Sequence, residues 1–308
     1  MLVIGSTNHD YIFRLSRKEP IIPATATELD TRPGGQGVNQ AIAAVRLGVR
    51  TSLVGCVGAD ADGTAIRARL ISEGVDASGL SVAAKVHTGC AFVAINSDGT
   101  YAIITHPGAN QKLQPDDVVF AINRMASGSV VLVQGELGVP LTNTAVQAAS
   151  DAGLRVVIHL SPFLRLDDST IRHASLLIMN RSQASELIGS SVNTLPQVRL
   201  AVQQVARTYA AVAIITVGSD GAVWSDGELF GDVVAPDVPV VDPEGAADSF
   251  AGAVAAALAL GMEVPEVADF AVRAASITVS RPGVLSAFPT AADMASPATL
   301  RQLCEIDS

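Results

Sequence analysis

The stretch VDPEGAADSFAG, residues 241–252, places a run of small residues ahead of an aspartate at a predicted helix mouth. Gly245, Ala246 and Ala247 offer successive backbone N–H groups at a helix N-terminus, where unpaired donors and the helix dipole favour an anion. Asp248 follows in the first turn. A carboxylate beside an anion site can take a proton from a substrate hydroxyl while amides hold a transferring phosphoryl group. The helix dipole alone also favours Asp there, so a purely structural reading stands beside the catalytic one.

A second constellation lies near the start. VIGSTNHD closes a strand-like run with Asn8 and Asp10, and VLVQGELG closes another with Glu136. Ligands gather at the carboxyl ends of strands in open α/β sheets, and amides with carboxylates supply the paired donors and acceptors that sugar hydroxyls need. RPGGQGVNQAIAAVRLG adds Gly34, Gly35 and Gly37, which free the backbone to approach a ligand, and Asn39 in the first turn of the next helix. AIITVGSDGAVW reads as a strand, a Gly/Ser turn and a hairpin suited to gripping phosphates through backbone groups. No GxxxxGK[ST] occurs, since GADADGT lacks the lysine, and GGQGVNQ does not complete a dinucleotide fingerprint. His9, His87, His106, His159 and His173 show neither metal spacing nor a triad, and read as surface or core filler.

These residues need a scaffold. LVIG, TSLVGCVG, SVVLVQG, RVVIHL, SLLIMN and VAIITVG are almost uncharged, β-branched runs that predict buried strands. VNQAIAAVRLG, TAIRARLISEG, LTNTAVQAASDAG and TLPQVRLAVQQVARTYA carry apolar residues at helical spacing, and several end in Gly. The alternation predicts one α/β domain over residues 1–308, with a mostly parallel sheet covered on both faces. Residues 11–33 and 82–106 alternate with period two instead, the second around a turn signal, NSDGT. They predict a small antiparallel sheet beside the main domain, serving as a lid, a dimer surface or an edge elaboration.

Composition narrows the function classes. A net charge of −10 opposes non-specific binding to nucleic acid and gives no attraction to anionic membranes. Cys56, Cys90 and Cys304 form no framework and no zinc cluster. The opening MLVIGSTNHD has no signal-peptide pattern and AGAVAAALALG is too short to span a bilayer, so a cytoplasmic protein is expected.

From VIGSTNHD to SRPGVLSAFP the chain resembles the ribokinase family of PfkB-type carbohydrate and nucleoside kinases. GGQGVNQA is similar to the family's GGKGANQA, DPEGAADSFAG to its DTxGAGDxFxG, and HPGAN to a segment of ribokinase-like members. The resemblance implies a three-layer ribokinase-like sandwich with a β lid, and ATP-dependent phosphorylation of a primary sugar hydroxyl, ribose or a related pentose. Asp248 would be the general base, with Gly245, Ala246 and Ala247 as the anion hole. Asn8, Asp10, Gly34, Gly35, Gln36, Asn39 and Glu136 would line the sugar pocket. Asn180, Thr216, Gly218, Ser219 and Gly221 would hold the nucleotide phosphates. Mg²⁺ would arrive with ATP, K⁺ or a similar cation would sit near Asp242 and RPGVLSAF, and the lid would form a homodimer.

Four positions depart from the family's pattern. Gln36 replaces a lysine and removes a cation near the sugar. Ala247 replaces a glycine, so a Cβ could crowd the γ-phosphate or restrict φ. Pro243 replaces a threonine. Gln183, in NRSQ, replaces a carboxylate that would act on Mg²⁺ through water. Two other readings therefore stand: a nucleoside kinase of the same fold, with Tyr11, Phe13 and Phe92 as a base platform, and a weakened homologue that binds sugar or nucleotide as a sensor.

Overall fold

A computed structural model describes residues 1–15, 25–95 and 101–295. The NSDGT turn, part of the first lid segment (16–24) and Cys304 lie outside the described residues. The chain opens with β1 (Leu2–Ile4), β2 (Asn8–Leu15), β3 (Ala26–Gly34), α1 (Gln36–Arg46), β4 (Ser52–Gly58) and α2 (Ala61–Ser72). Next come β5 (Leu80–Ala83), β6 (Gly89–Ile95), β7 (Tyr101–His106), α3 (Pro115–Ile122), β8 (Val130–Gln134) and α4 (Val139–Asp151). There follow β9 (Arg155–His159), α5 (Asp168–Ile171), β10 (Leu176–Asn180), α6 (Arg181–Ile188), α7 (Leu195–Tyr209) and β11 (Val212–Thr216). The chain continues through β12 (Ala222–Ser225), β13 (Phe230–Val233), α8 (Ala246–Ala259), α9 (Val264–Val279) and α10 (Ala291–Ala295).

Nine strands form the main sheet in the order β13-β12-β11-β10-β9-β8-β1-β4-β5. All pairings from β5 to β11 are parallel, and β12 runs antiparallel to both its neighbours. Strands such as VVLVQ and LLIMN bury nearly every residue because helices cover both faces. On one side Val3 and Leu132 pack with Ile42, Val254 and Val267; on the other, Ile4, Val131 and Val133 pack with Val146 and Val202. Burying each such side chain stabilises the fold by roughly 1.5–3 kcal/mol. Helix α8 is buried from Ser249 to Ala257, which explains its alanines: small side chains let α1 and α9 approach from two sides. Asp248 thus rides on a helix fixed within the core.

The chain enters at β1 in mid-sheet, adds β4 and β5 on one side, then crosses to β8 on the other. The strand order therefore reverses between β1 and β8, the crevice where open α/β sheets bind ligands. The smaller sheet has the order β3-β2-β6-β7. Its outer pairings are antiparallel, as expected, whereas β2 and β6 run parallel at its centre. The lid strands begin at Asn8 and Gly89, and β5 belongs to the main sheet beside β4. Because β2 follows β1 after three residues, the junction sets Asn8 and Asp10 between lid and body.

Candidate active site

Gly245 is the N-cap of α8, with φ 80° and ψ −8°. A Cβ there would lie 2.8 Å from Val284 Cγ1 and 3.1 Å from Phe288 Cε1, so glycine is required both by conformation and by space. No side chain caps this helix, and Ala246 N–H makes only a long 3.4 Å contact to Pro243 O. The first-turn amides thus keep their capacity for an anion. The expected restriction of φ at Ala247 does not arise: Ala247 is exposed, lies within α8 and is not among the residues of positive φ. Replacing Ala247 by Gly should accordingly leave kcat within about twofold, measured by steady-state kinetics, because glycine in a helix relieves nothing here.

Asp248 does not cap its own helix. Its Oδ2 accepts from Asn39 Nδ2 at 2.8 Å and its Oδ1 from Gln40 Nε2 at 2.9 Å. Burial pushes the carboxyl up to about 7, against the pull of those two amides, while Glu136 and Glu244 add repulsion. A carboxyl poised there suits a general base near neutrality.

The sugar-side residues converge at the same crevice. Asn8 Oδ1 accepts from Asn110 Nδ2 at 2.8 Å, so the HPGAN segment orients Asn8. Burial also pushes Asp10 up to about 7, with Arg32 opposing and Glu244, Glu136 and Asp248 adding to the rise. A Cβ on Gly34 would fall 2.0 Å from Asp10 Oδ2, so this glycine makes room for the carboxylate. Glu136 Oε2 accepts from Ser6 Oγ and, at 3.2 Å, from Gln36 N–H, tying the start of α1 to the end of β8. Gln36 Nε2 donates to Ser161 Oγ at 3.2 Å. Gln36 Oε1 and Asn39 Oδ1 are buried with no hydrogen-bond partner. A buried orphan acceptor costs roughly 1–3 kcal/mol, which hydroxyl donors of a ligand would offset.

A different cation lies at the crevice. Arg32, on β3, faces Asp10 and approaches Glu244 Oε1 at 2.6 Å, a charge contact without hydrogen-bond alignment. It joins the lid to the segment just before Gly245. An arginine among turn residues carries no local sign of this pairing.

On the nucleotide side, Asn180 and Thr216 are register partners at the carboxyl ends of β10 and β11. Gly218, Ser219 and Gly221 form the tight turn after β11. Gln183 is committed to a capping box: its Oε1 accepts from Asn180 N–H at 2.8 Å, and its own N–H donates to Asn180 Oδ1 at 2.9 Å. The amide thus serves the helix start, at the carboxyl end of β10. Asp242 accepts from Glu244 N–H at 3.0 Å and Gly283 N–H at 3.2 Å, joining the catalytic loop to RPGVLSAF. Among the described residues no group of three or more His, Cys, Asp or Glu is arranged to hold a metal. Among them no helix is long and apolar enough to cross a membrane.

Two expectations change. Tyr11 and Phe13 alternate with Asp10 on β2 and so point from the opposite lid face; both stack on Phe92, at 5.1 and 6.3 Å between centroids. They are lid packing, not a platform over the crevice. His159 is buried, yet it is no filler: its Nδ1 lies 3.1 Å from Gln40 Nε2. Gln134, at the end of β8, donates to Gln40 Oε1 at 2.7 Å. A polar residue closing an otherwise buried strand was the available signal for both.

Residues 1–291 match a family model described as pfkB family carbohydrate kinase. The chain belongs to this family. The ribokinase of Bacillus subtilis is 32% identical to this pfkB-family protein over 292 residues, covering 94% of this chain and 95% of the relative. A deoxyribokinase of Salmonella typhi is 28% identical, covering 94% and 95%. The structure of Arabidopsis thaliana ribokinase complexed with ribose and ATP superposes with a TM-score of 0.85 at 27% identity, covering 99% of this chain and 98% of that one. The resemblance read from the motifs thus holds, with its ribokinase-like fold, and the protein is an ATP-dependent sugar kinase.

Proposed function

We propose that this kinase transfers the γ-phosphate of ATP to a primary hydroxyl of a pentose, with ribose the preferred acceptor. The observation that carries the reading is Asp248, held by two α1 amides instead of capping its own helix and poised near pH 7 beside the uncapped amides of α8. Ribose is the choice because relatives across the whole chain are ribokinases.

Asn8, Asp10, Gln36, Asn39 and Glu136 hold the sugar hydroxyls, with Gly34 and Gly35 giving the backbone close approach. Asp248 takes the proton as the sugar oxygen bonds to the γ-phosphorus and the β–γ bridging bond breaks, releasing ADP. Amides of Gly245, Ala246 and Ala247 meet the charge that develops on the transferring group. Asn180, Thr216, Gly218, Ser219 and Gly221 bind the nucleotide phosphates, which bring Mg²⁺ with them. A monovalent cation would be held at Asp242, whose carboxylate keeps lone pairs beyond the two it gives to backbone N–H groups. The reading extends to a homodimer through the lid, supported by Leu29, Phe92 and Ile104, exposed by 58%, 40% and 71% on the face opposite Asp10. Light scattering at twice the 31.6 kDa chain mass checks it.

Because the base must be ionised, kcat/KM should climb with pH through about 7 and level above it, in a profile from about 5 to about 9. The deciding experiment is ADP release with ATP, Mg²⁺ and K⁺ across ribose, 2-deoxyribose, fructose and adenosine. Ribose should give the highest kcat/KM. Preference for adenosine or fructose contradicts the acceptor, and no ADP above background with any of them contradicts the reading.

A further inference from the structure

Gln40 follows Asn39 on α1, and the two amides divide the oxygens of Asp248 between them. Their surroundings differ. Asn39 keeps an unpartnered oxygen, whereas Gln40 is fully buried, so it has no surface with which to touch a sugar. Every polar atom of Gln40 is engaged: Nε2 reaches Asp248 Oδ1 and His159 Nδ1, and Oε1 accepts from Gln134 Nε2.

With Asp248 ionised as the base, its carboxylate selects this orientation. Turned over, the amide would set Oε1 against the carboxylate and a ring nitrogen, and Nε2 against the Gln134 N–H group. It equally fixes His159, whose Nδ1 must present a lone pair, leaving the ring neutral with its proton on Nε2. Burial supports this by pushing His159 down to about 4.

We infer that Gln40, oriented by His159 and Gln134, is a positioning residue for the base. It holds Asp248 Oδ1 inward and leaves Oδ2, at the Asn39 side, to take the proton. The inference rests on the reading of Asp248 as base and adds what aims it. The other charged groups facing Asp248 are Glu136 after β8, Glu244 before α8 and Asp10 from the lid, with Arg32 drawn to Glu244 and Asp10. All three acids make ionisation of Asp248 harder, so a neutral donor held from behind is what keeps its carboxylate accessible near neutrality.

The test uses the full chain with Gln40→Met, His159→Leu and His159→Asn, following kcat/KM for the sugar against pH. Gln40→Met should move the acidic limb up by about one pH unit and lower kcat at pH 7 about tenfold, with sugar KM within about twofold. His159→Leu should shift the limb the same way by less. His159→Asn should behave as wild type, because its side-chain oxygen can accept the Gln40 N–H. An unmoved limb in active Gln40→Met or His159→Leu protein overturns the inference, as does His159→Asn matching His159→Leu. Where a variant fails to fold, nitrogen NMR of the wild type decides: His159 should stay neutral, with Nδ1 unprotonated, down to about pH 5, and a proton on Nδ1 overturns the inference. Should Asp248→Asn keep the wild-type rate, it is the reading of the base that fails, irrespective of these variants.

Discussion

Asp248→Asn should lower kcat for sugar phosphorylation by about 10³-fold while the KM values for sugar and ATP stay within about twofold. A positioned general base contributes typically 10²–10⁴-fold, and the amide that replaces it cannot take a proton. Binding persists because Asn8, Gln36 and Glu136 hold their places through Asn110, Ser161 and Ser6, none of which depends on Asp248. The variant should also melt no lower than wild type at pH 8. The folded carboxyl titrates near 7 rather than 3.8, so the wild type loses stability as pH rises between those values, and a neutral Asn escapes that loss. The stability difference should therefore fade on acidification from about 7 to about 4. Steady-state kinetics with thermal melts at two pH values check both halves. A large fall in Tm at pH 8 would assign the rate loss to unfolding.

Gly245→Ala should reduce kcat by about 10²-fold, again with little effect on sugar KM. The residue sits at φ 80°, where a Cβ costs of order 1–3 kcal/mol, and the added methyl group meets Val284 at 2.8 Å and Phe288 at 3.1 Å. Relief comes by moving the start of α8. The amides of Ala246 and Ala247 then leave the place where charge develops, and one lost donor of this kind costs roughly 10²–10³ in rate. Asp248 moves with them, although Asn39 and Gln40 restrain it. The contrast with Ala247→Gly, expected to be nearly silent, separates a glycine that the backbone requires from one it does not.

Much of this was legible in the chain. Uncharged β-branched runs gave β1, β4, β8, β9, β10 and β11, because strands covered on both faces have no solvent side to mark with polar residues. The helix mouth at 245–248 was legible for a local reason as well, since small residues and a first-turn acid act through their own backbone. What escaped was long-range. Arg32 and Glu244 lie in different segments that meet only when the lid stands over the crevice. Gln40, Gln134 and His159 sit on three elements, α1, β8 and β9, each ordinary within its own run. The parallel pairing of β2 with β6 likewise depends on how two hairpins are laid side by side, which period-two alternation does not encode. Asp248 itself could be read as a dipole-favoured acid until its carboxylate proved to be turned to α1.

The central claim is that the amides at 245–247 and the carboxylate of Asp248 act on one acceptor hydroxyl. A crystal structure with ribose and a non-hydrolysable ATP analogue tests it most directly. The account predicts the sugar's primary hydroxyl within about 3 Å of Asp248 Oδ2, with the γ-phosphate over the first turn of α8. Both ligands bound clear of that turn, in crystals whose protein still turns over substrate, would contradict it.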